Sequence, residues 1–297
     1  MNKTNILIAA ALIASTTVKA QKVIVEDTKE VFAIGTVSAY KTTIPYAKLK
    51  DVTSAWQKWQ KDHKGIVKET KMNFFSDNTV VQELGTGTVD VYSTLKEKDA
   101  QNVELIVAYD FDGKYINCVD MVEKCAIVRT QLKDFGLKMA LNQESEDLKN
   151  ANKNLEKLAS KQKNLEKDNT DFNAEINKNK SKIEKKLNEL QFKEEALTKK
   201  KDDVAIQKRV VDASAAAVDE QAKSAKKIYE KLKSAQLGLE KDIKNLKNDV
   251  IDCKDTITKN ENKLKENEAT QVTTKQNLAS QTTLVETLVA QIKTLTE

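Results

Sequence analysis

Hydrophobic and polar positions change their period once along the chain. Up to about residue 118 the dominant period is two. Val103, Leu105, Val107, Tyr109 and Phe111 alternate with Glu104, Ile106, Ala108 and Asp110, and Val89, Val91 and Leu95 alternate with Asp90, Tyr92 and Thr94. Successive side chains of a strand point to opposite faces, so this spacing predicts two strands. Val31 to Ile44, rich in Val, Ile, Thr and Tyr, predicts another. Ile66 to Phe75 and Thr79 to Gln82 predict two more, joined at Asp77-Asn78. Gly85-Thr86-Gly87 and Asp99 to Asn102 supply turns.

Leu49, Val52, Trp56 and Trp59 recur at helical spacing after the first of these strands. Pro45 is expected in the first turn of that helix and Gly65 just past its end. Short connections imply antiparallel pairing. The expected product is an α+β two-layer domain over residues 21–140, an antiparallel sheet with a packed helix, Trp56 and Trp59 lying between the layers. A second helix is expected from near Asp120, where Met121, Cys125, Val128, Leu132, Phe135 and Met139 step by four and three. That stripe can pack on the same sheet.

From about Asn142 the period is seven. Stepping by seven from Leu141 to Leu295 visits 23 positions, of which 17 are apolar, where composition alone would give about nine. A sustained phase of this kind predicts a long all-α coiled coil over residues 141–297. A companion seam lies three residues after the main one at Leu158, Leu165 and Phe172, and four after it from Leu187 onward, with the shift placed between Asn179 and Lys201. Gln162, Asn169, Asn260, Asn267, Thr274 and Gln281 interrupt the main seam; buried polar groups there can fix register at a cost in stability. The apolar seam needs a mate. Two or more chains pairing along a continuous rod would supply it, which makes a homo-oligomer through the coiled coil the first expectation. A fold-back within one chain is the alternative, with only Lys199 to Asp203 and Gly238 as weak turn candidates.

Composition agrees with so much helix: the chain has seven Gly and one Pro among 297 residues. Residues 1–20 are expected to be a signal peptide. Lys3 precedes a nine-residue apolar run, Ile6 to Ala14, which is shorter than the roughly 20 residues needed to span a bilayer, and Val18-Lys19-Ala20 offers a cleavage site before Gln21. Removing Lys3 and Lys19, with no acids, takes the formal charge from +5 to +3. No other stretch is apolar enough to span, so no transmembrane segment is expected after cleavage. Lysines and acids are interleaved and no basic stripe with aromatic platforms occurs, so nucleic acid is not expected as a partner.

Export makes Cys118 and Cys125 candidates for a disulfide. Seven residues of unbroken helix would hold their Cα atoms about 10.5 Å apart, beyond the roughly 7 Å that a bridge tolerates. The bond therefore requires Cys118 to lie in a loop before a helix that begins near Val119 or Asp120; two free cysteines are the alternative. Cys253 stands alone on the main seam. His63 is the only histidine and sits at a helix end, where it reads as a cap rather than a base. Asp110-Phe111-Asp112-Gly113 has a passing likeness to a calcium loop but places Lys114 at the fifth position and lacks the bidentate Glu. No phosphate-binding Gly loop, dinucleotide fingerprint or CxxC occurs. Catalytic, cofactor-binding and metal-binding residues are therefore expected to be none.

The signal ending in Ala20-Gln21, the helix Pro45…Leu49…Val52…Trp56, the strand Val103-Glu104-Leu105 to Asp110 and the Lys/Glu-rich coiled tail together resemble uncharacterised exported proteins of Bacteroidota-type bacteria. The resemblance implies a periplasmic or outer-envelope location and brings no known activity with it. The sequence thus points to a non-enzymatic envelope protein. Its coil would be a spacer and oligomerisation element, and its head would meet another envelope protein. The alternative is a ligand- or peptide-binding protein whose head binds and whose coil presents it.

Overall fold

The computed structural model describes residues 21–214 and 220–297; residues 1–20, on which the expected signal peptide falls, and residues 215–219 lie outside the described residues. The N-terminal part forms one antiparallel sheet of β1 (Ile24–Phe32), β2 (Gly35–Pro45), β3 (Ile66–Thr70), β4 (Asn73–Thr79), β5 (Val89–Asp99), β6 (Asn102–Phe111) and β7 (Lys114–Tyr115), in the spatial order β1-β2-β6-β5-β4-β3 with β7 on the end of β6. Helix α1 (Leu49–Asp62) follows β2. Two long helices, α2 (Val122–Ala213) and α3 (Glu220–Thr296), complete the chain. The fold class is therefore the α+β head followed by a long all-α coil.

Three local readings are corrected. The stretch Val31 to Ile44 is not one strand: β1 and β2 form a hairpin that turns at Ala33-Ile34, and apolar turn residues hid the break. Likewise β3 and β4 meet at Lys71-Met72, both with positive φ (50° and 64°), and Gln82–Leu84 is a short 3₁₀ turn rather than strand. Such two-residue turns usually carry Asn or Gly; this one carries neither. Pro45 ends β2 rather than opening α1, whose N-cap is Lys48.

The chain divides into two compact units, one of Met1–Glu156 with Ala279–Glu297 and the other of Lys157–Leu278. In the first, the inner sheet face presents Ile44, Val91, Leu95, Leu105 and Val107 to Val52 and Trp56 of α1 and to Val128, Leu132 and Phe135 of α2. Each such side chain withdrawn from water contributes about 1.5–3 kcal/mol. Leu295, near the end of α3, joins the same core. Trp56 stacks on Trp59 (centroids 4.7 Å, planes 3° apart), meets Phe135 edge-on at 5.1 Å, and its Nε1 donates to Ser93 Oγ at 2.8 Å. At Gly136 α2 comes so close to the sheet that a Cβ would lie 2.8 Å from Val23 Cγ1. The central strand β6 is buried on both faces from Asn102 to Tyr109, which is why its outward positions Ile106 and Ala108 are apolar as well.

In the second unit α2 and α3 run antiparallel and fill the heptad seam within one chain. Ile176, Ile183, Leu190, Leu239, Leu246 and Cys253 are all buried or half-buried on it. The continuous rod is thus corrected to a fold-back, and neither turn candidate is used: Lys199 to Asp203 and Gly238 are helical, and α2 ends at Ala213. The companion seam is corrected too. In α2 it stays three residues after the main seam through Asn179, Lys186, Lys193, Lys200 and Gln207, while Leu187 is 46% exposed. In α3 it lies four after. The discontinuity therefore falls where the chain reverses, because reversal exchanges the two seam positions.

Polar seam residues are matched across the hairpin. Gln162 Nε2 donates to Gln271 Oε1 (3.3 Å), Asn260 Nδ2 to Glu175 Oε2 (3.0 Å) and Lys193 Nζ to Asp242 Oδ2 (2.8 Å), and Lys186 pairs with Asp249. A slip of one residue would leave the buried amides of Asn260 (3% exposed) and Gln162 (8% exposed) without these partners, so they hold the register.

Candidate functional site

The head carries two features that can meet another molecule. The first is a cleft of about 330 Å³ between the β1–β2 hairpin and the loop Ile116 to Val119, lined by Asp27, Thr28, Ser38, Tyr40 and Cys118 among others. The loop is set by Asn117, whose Oδ1 accepts from the N–H groups of Val119 and Asp120, an Asx turn that launches α2. Cys118 lies in this loop and Cys125 in the first turn of α2; their sulfurs are joined, with Cα atoms 5.1 Å apart. Arg129 Nη1 donates to both Asp27 carboxylate oxygens (3.2 and 3.3 Å), and its Nη2 donates to Val25 O (3.0 Å), so one guanidinium ties α2 to β1 beside the disulfide. Tyr40 Oη donates to Ile116 O at 3.1 Å. Burial first, then the neighbouring Asp27 charge, pushes the Tyr40 hydroxyl up to about 12, which keeps it a donor at any physiological pH.

Among the described residues, the two sulfurs and the Asp27 carboxylate form the one grouping of metal-ligand type, within 4.8 Å of one another. Joined sulfurs are not thiolates, and the carboxylate is taken by Arg129, so in this state the residues do not fit a metal.

The second feature is the outer sheet face. Phe32, Ala39, Ile106 and Ala108, with Val37, Tyr92 and Tyr115 packed on them, form a small cluster drawn from strands alone. Tyr92 lies at the centre, 4.8 Å from Phe75, 6.1 Å from Phe32 and 6.3 Å from Tyr115 between ring centroids. Beside it, Asp77, Asp90, Asp110 and Asp112 edge a shallow depression with Asn78 and Thr88. Burial, and then the charges of Asp90, Asp110 and Asp77, hold the Tyr92 hydroxyl above its ordinary range.

His63 caps α1: it stacks on Trp59 (4.1 Å between centroids) and its Nδ1 is 2.7 Å from Trp59 O. Both contacts are to Trp59, which is neither a carboxylate nor a nucleophile. The turn Asp112-Gly113 joins β6 to β7, and Asp110 belongs to the outer face rather than to a calcium loop. Sequence reasoning missed the cleft, because it needs β1, and missed the outer face, because Tyr92 and Phe75 sit on different strands whose register the sequence does not give.

The chain matches no protein-family model and no curated protein. Among the described residues no helix is long and apolar enough to cross a membrane.

Proposed function

We propose that this is an exported, non-enzymatic structural and interaction protein of the cell envelope. The head is its interaction module and the coil its spacer. The observation that carries this reading is the outer sheet face, an aromatic cluster built from strands with no helix among its members. Phe32, Ala39, Ile106 and Ala108 are themselves buried, so what a partner would meet is the half-buried rings of Phe75, Tyr92 and Tyr115; aromatic side chains of this kind are enriched where proteins meet. A photo-reactive phenylalanine analogue in place of Phe75 tests it in the source cells. Recovery in the periplasmic or outer-envelope fraction with a cross-linked adduct supports the reading; retention in the cytoplasm, or no adduct, contradicts it.

Self-association is a further part of the proposal. With the seam filled inside one chain, a second copy would use outward apolar side chains of the hairpin such as Phe192 (72% exposed) and Leu237 (57%). Sedimentation of the full chain at two concentrations would show a dimer or larger if these faces pair.

The cleft at Asp27, Tyr40 and Cys118 favours a second reading, a small-ligand or peptide-binding protein. A thermal-shift screen of metabolites and glycans tests it; a hit lost on Ser38→Tyr, which would fill the cleft, supports it, and no shift from any compound contradicts it.

A further inference from the structure

We propose that the outer sheet face docks a cationic, extended peptide: arginine or lysine side chains held against the Tyr92–Tyr115–Phe75 rings by the adjoining carboxylates. This rests on the head's being an interaction module and names the chemistry of what it takes.

The face is asymmetric in charge. Toward one end its charged residues are paired to each other, Lys41 with Glu26 at 2.9 Å and Lys96 with Glu104 at 2.8 Å. Toward the other end stand Asp77, Asp90 and Asp110, and among the described residues no lysine or arginine forms an ion pair with any of them. Their register places them side by side: Asp90 is opposite Asp110 across β5–β6, one pleat from the Tyr92–Ala108 pair. Asp90 Oδ1 accepts the Asn78 N–H and Asp77 Oδ1 accepts from the Asn78 side chain, which fixes both carboxylates. Asp110 Oδ1 is buried and has no hydrogen-bond partner. Unneutralised, fixed and partly desolvated carboxylates beside ring faces suit a guanidinium or ammonium, which gains from both the charge and the ring quadrupole.

Ring geometry separates this ligand from a glycan. A sugar stacks on a flat aromatic platform, but the rings here are tilted to one another by 35°, 49° and 54°. Ala39 and Ala108 are buried in the same cluster. Asp77, Asp90 and Asp110 come from three neighbouring strands and lie beside the row Phe75, Tyr92 and Ala108, so an extended chain laid across the strands can rest the stems of its sheet-facing arginine or lysine side chains on the rings and bring their charges to the carboxylates.

Fluorescence polarisation on the full chain provides the test, with labelled hexapeptides alternating leucine with arginine, with serine or with glutamate. The arginine peptide is expected to bind at least tenfold tighter than the serine peptide, with no binding of the glutamate peptide. The isosteric double variant Asp90→Asn/Asp110→Asn, checked for an unchanged near-ultraviolet circular dichroism spectrum, is expected to lose at least tenfold for the arginine peptide alone. Equal binding of all three peptides, no arginine-peptide binding, an unaffected double variant, or displacement by the neutral oligosaccharide maltoheptaose would each overturn the assignment. If the peptide fails while the Phe75 photo-adduct still forms in cells, only the cationic chemistry is wrong; if both fail, the interaction face itself is wrong.

Discussion

Replacing Glu144 with Gln should remove most of a pH-dependent weakness from the first unit. Glu144 is on α2, only 3% exposed, and its Oε2 is buried with no hydrogen-bond partner. Burial first, and then the nearby Asp147 charge, push its carboxyl up to about 7 from an ordinary 4.5. A raised folded-state value means the native state holds the proton more tightly than the unfolded chain does. Below pH 4.5 both states are protonated and Glu144 carries no charge penalty. As the pH rises from 4.5 to 7 the unfolded chain releases its proton first, and stability falls; above 7 the loss is complete. At about 1.4 kcal/mol per unit, the full loss is about 3 kcal/mol. Glu144→Gln keeps the shape and removes the ionisation, so the two proteins should be nearly equal at pH 4 and differ by about 3 kcal/mol in favour of the variant at pH 8. Urea unfolding followed by tryptophan fluorescence reads the first unit directly, because Trp56 and Trp59 both lie in it. A difference between the two proteins that stays constant from pH 4 to 8 would refute the reasoning.

Trp56→Ala should cost about 3–5 kcal/mol in the same assay, as expected for emptying a fully buried aromatic site, with Ser93 Oγ losing its donor. Gly136→Val should cost at least about 1–3 kcal/mol, since even a Cβ there runs into Val23 and Ile44. Reducing Cys118–Cys125 frees a short loop, seven residues in sequence separation, and should lower stability by roughly 2–3 kcal/mol, measured as the shift in urea midpoint with and without reductant. Lys193→Ala should change the stability of the second unit by under about 1 kcal/mol, because its partner Asp242 is half exposed.

The layers and the seam could be read from the chain because they depend on periods. Strands β5 and β6, helix α1 and the stripe Met121 to Met139 all follow from one face being apolar, and the core holds those residues. The main seam survives at every seventh position among the described residues because the same side chains are buried or half-buried whichever mate they meet. What could not be read was direction. An apolar seam pairs equally well with a second chain or with itself, and the usual marks of reversal, Gly or Pro, are absent around Asp212-Ala213-Ser214. Lys186, Lys193 and Lys200 added to the difficulty: long lysines cover the seam with their stems and reach out with their charges, so they look like surface in sequence. The outer face of the head was hidden for a related reason. Tyr92 and Phe75 look like alternate, outward positions on separate strands, and only the register of β4 against β5 sets them ring to ring.

A single distance decides whether the seam is closed within one chain. Spin labels at positions 193 and 242, in a Cys253→Ser background and diluted with unlabelled protein so that only intramolecular pairs contribute, report it by pulsed electron resonance. Side chains that touch across the hairpin should give a distribution centred below about 20 Å, consistent with helix axes about 8–10 Å apart. A continuous helix would place the two sites on the order of 70 Å apart, and a distribution centred there would contradict the fold-back.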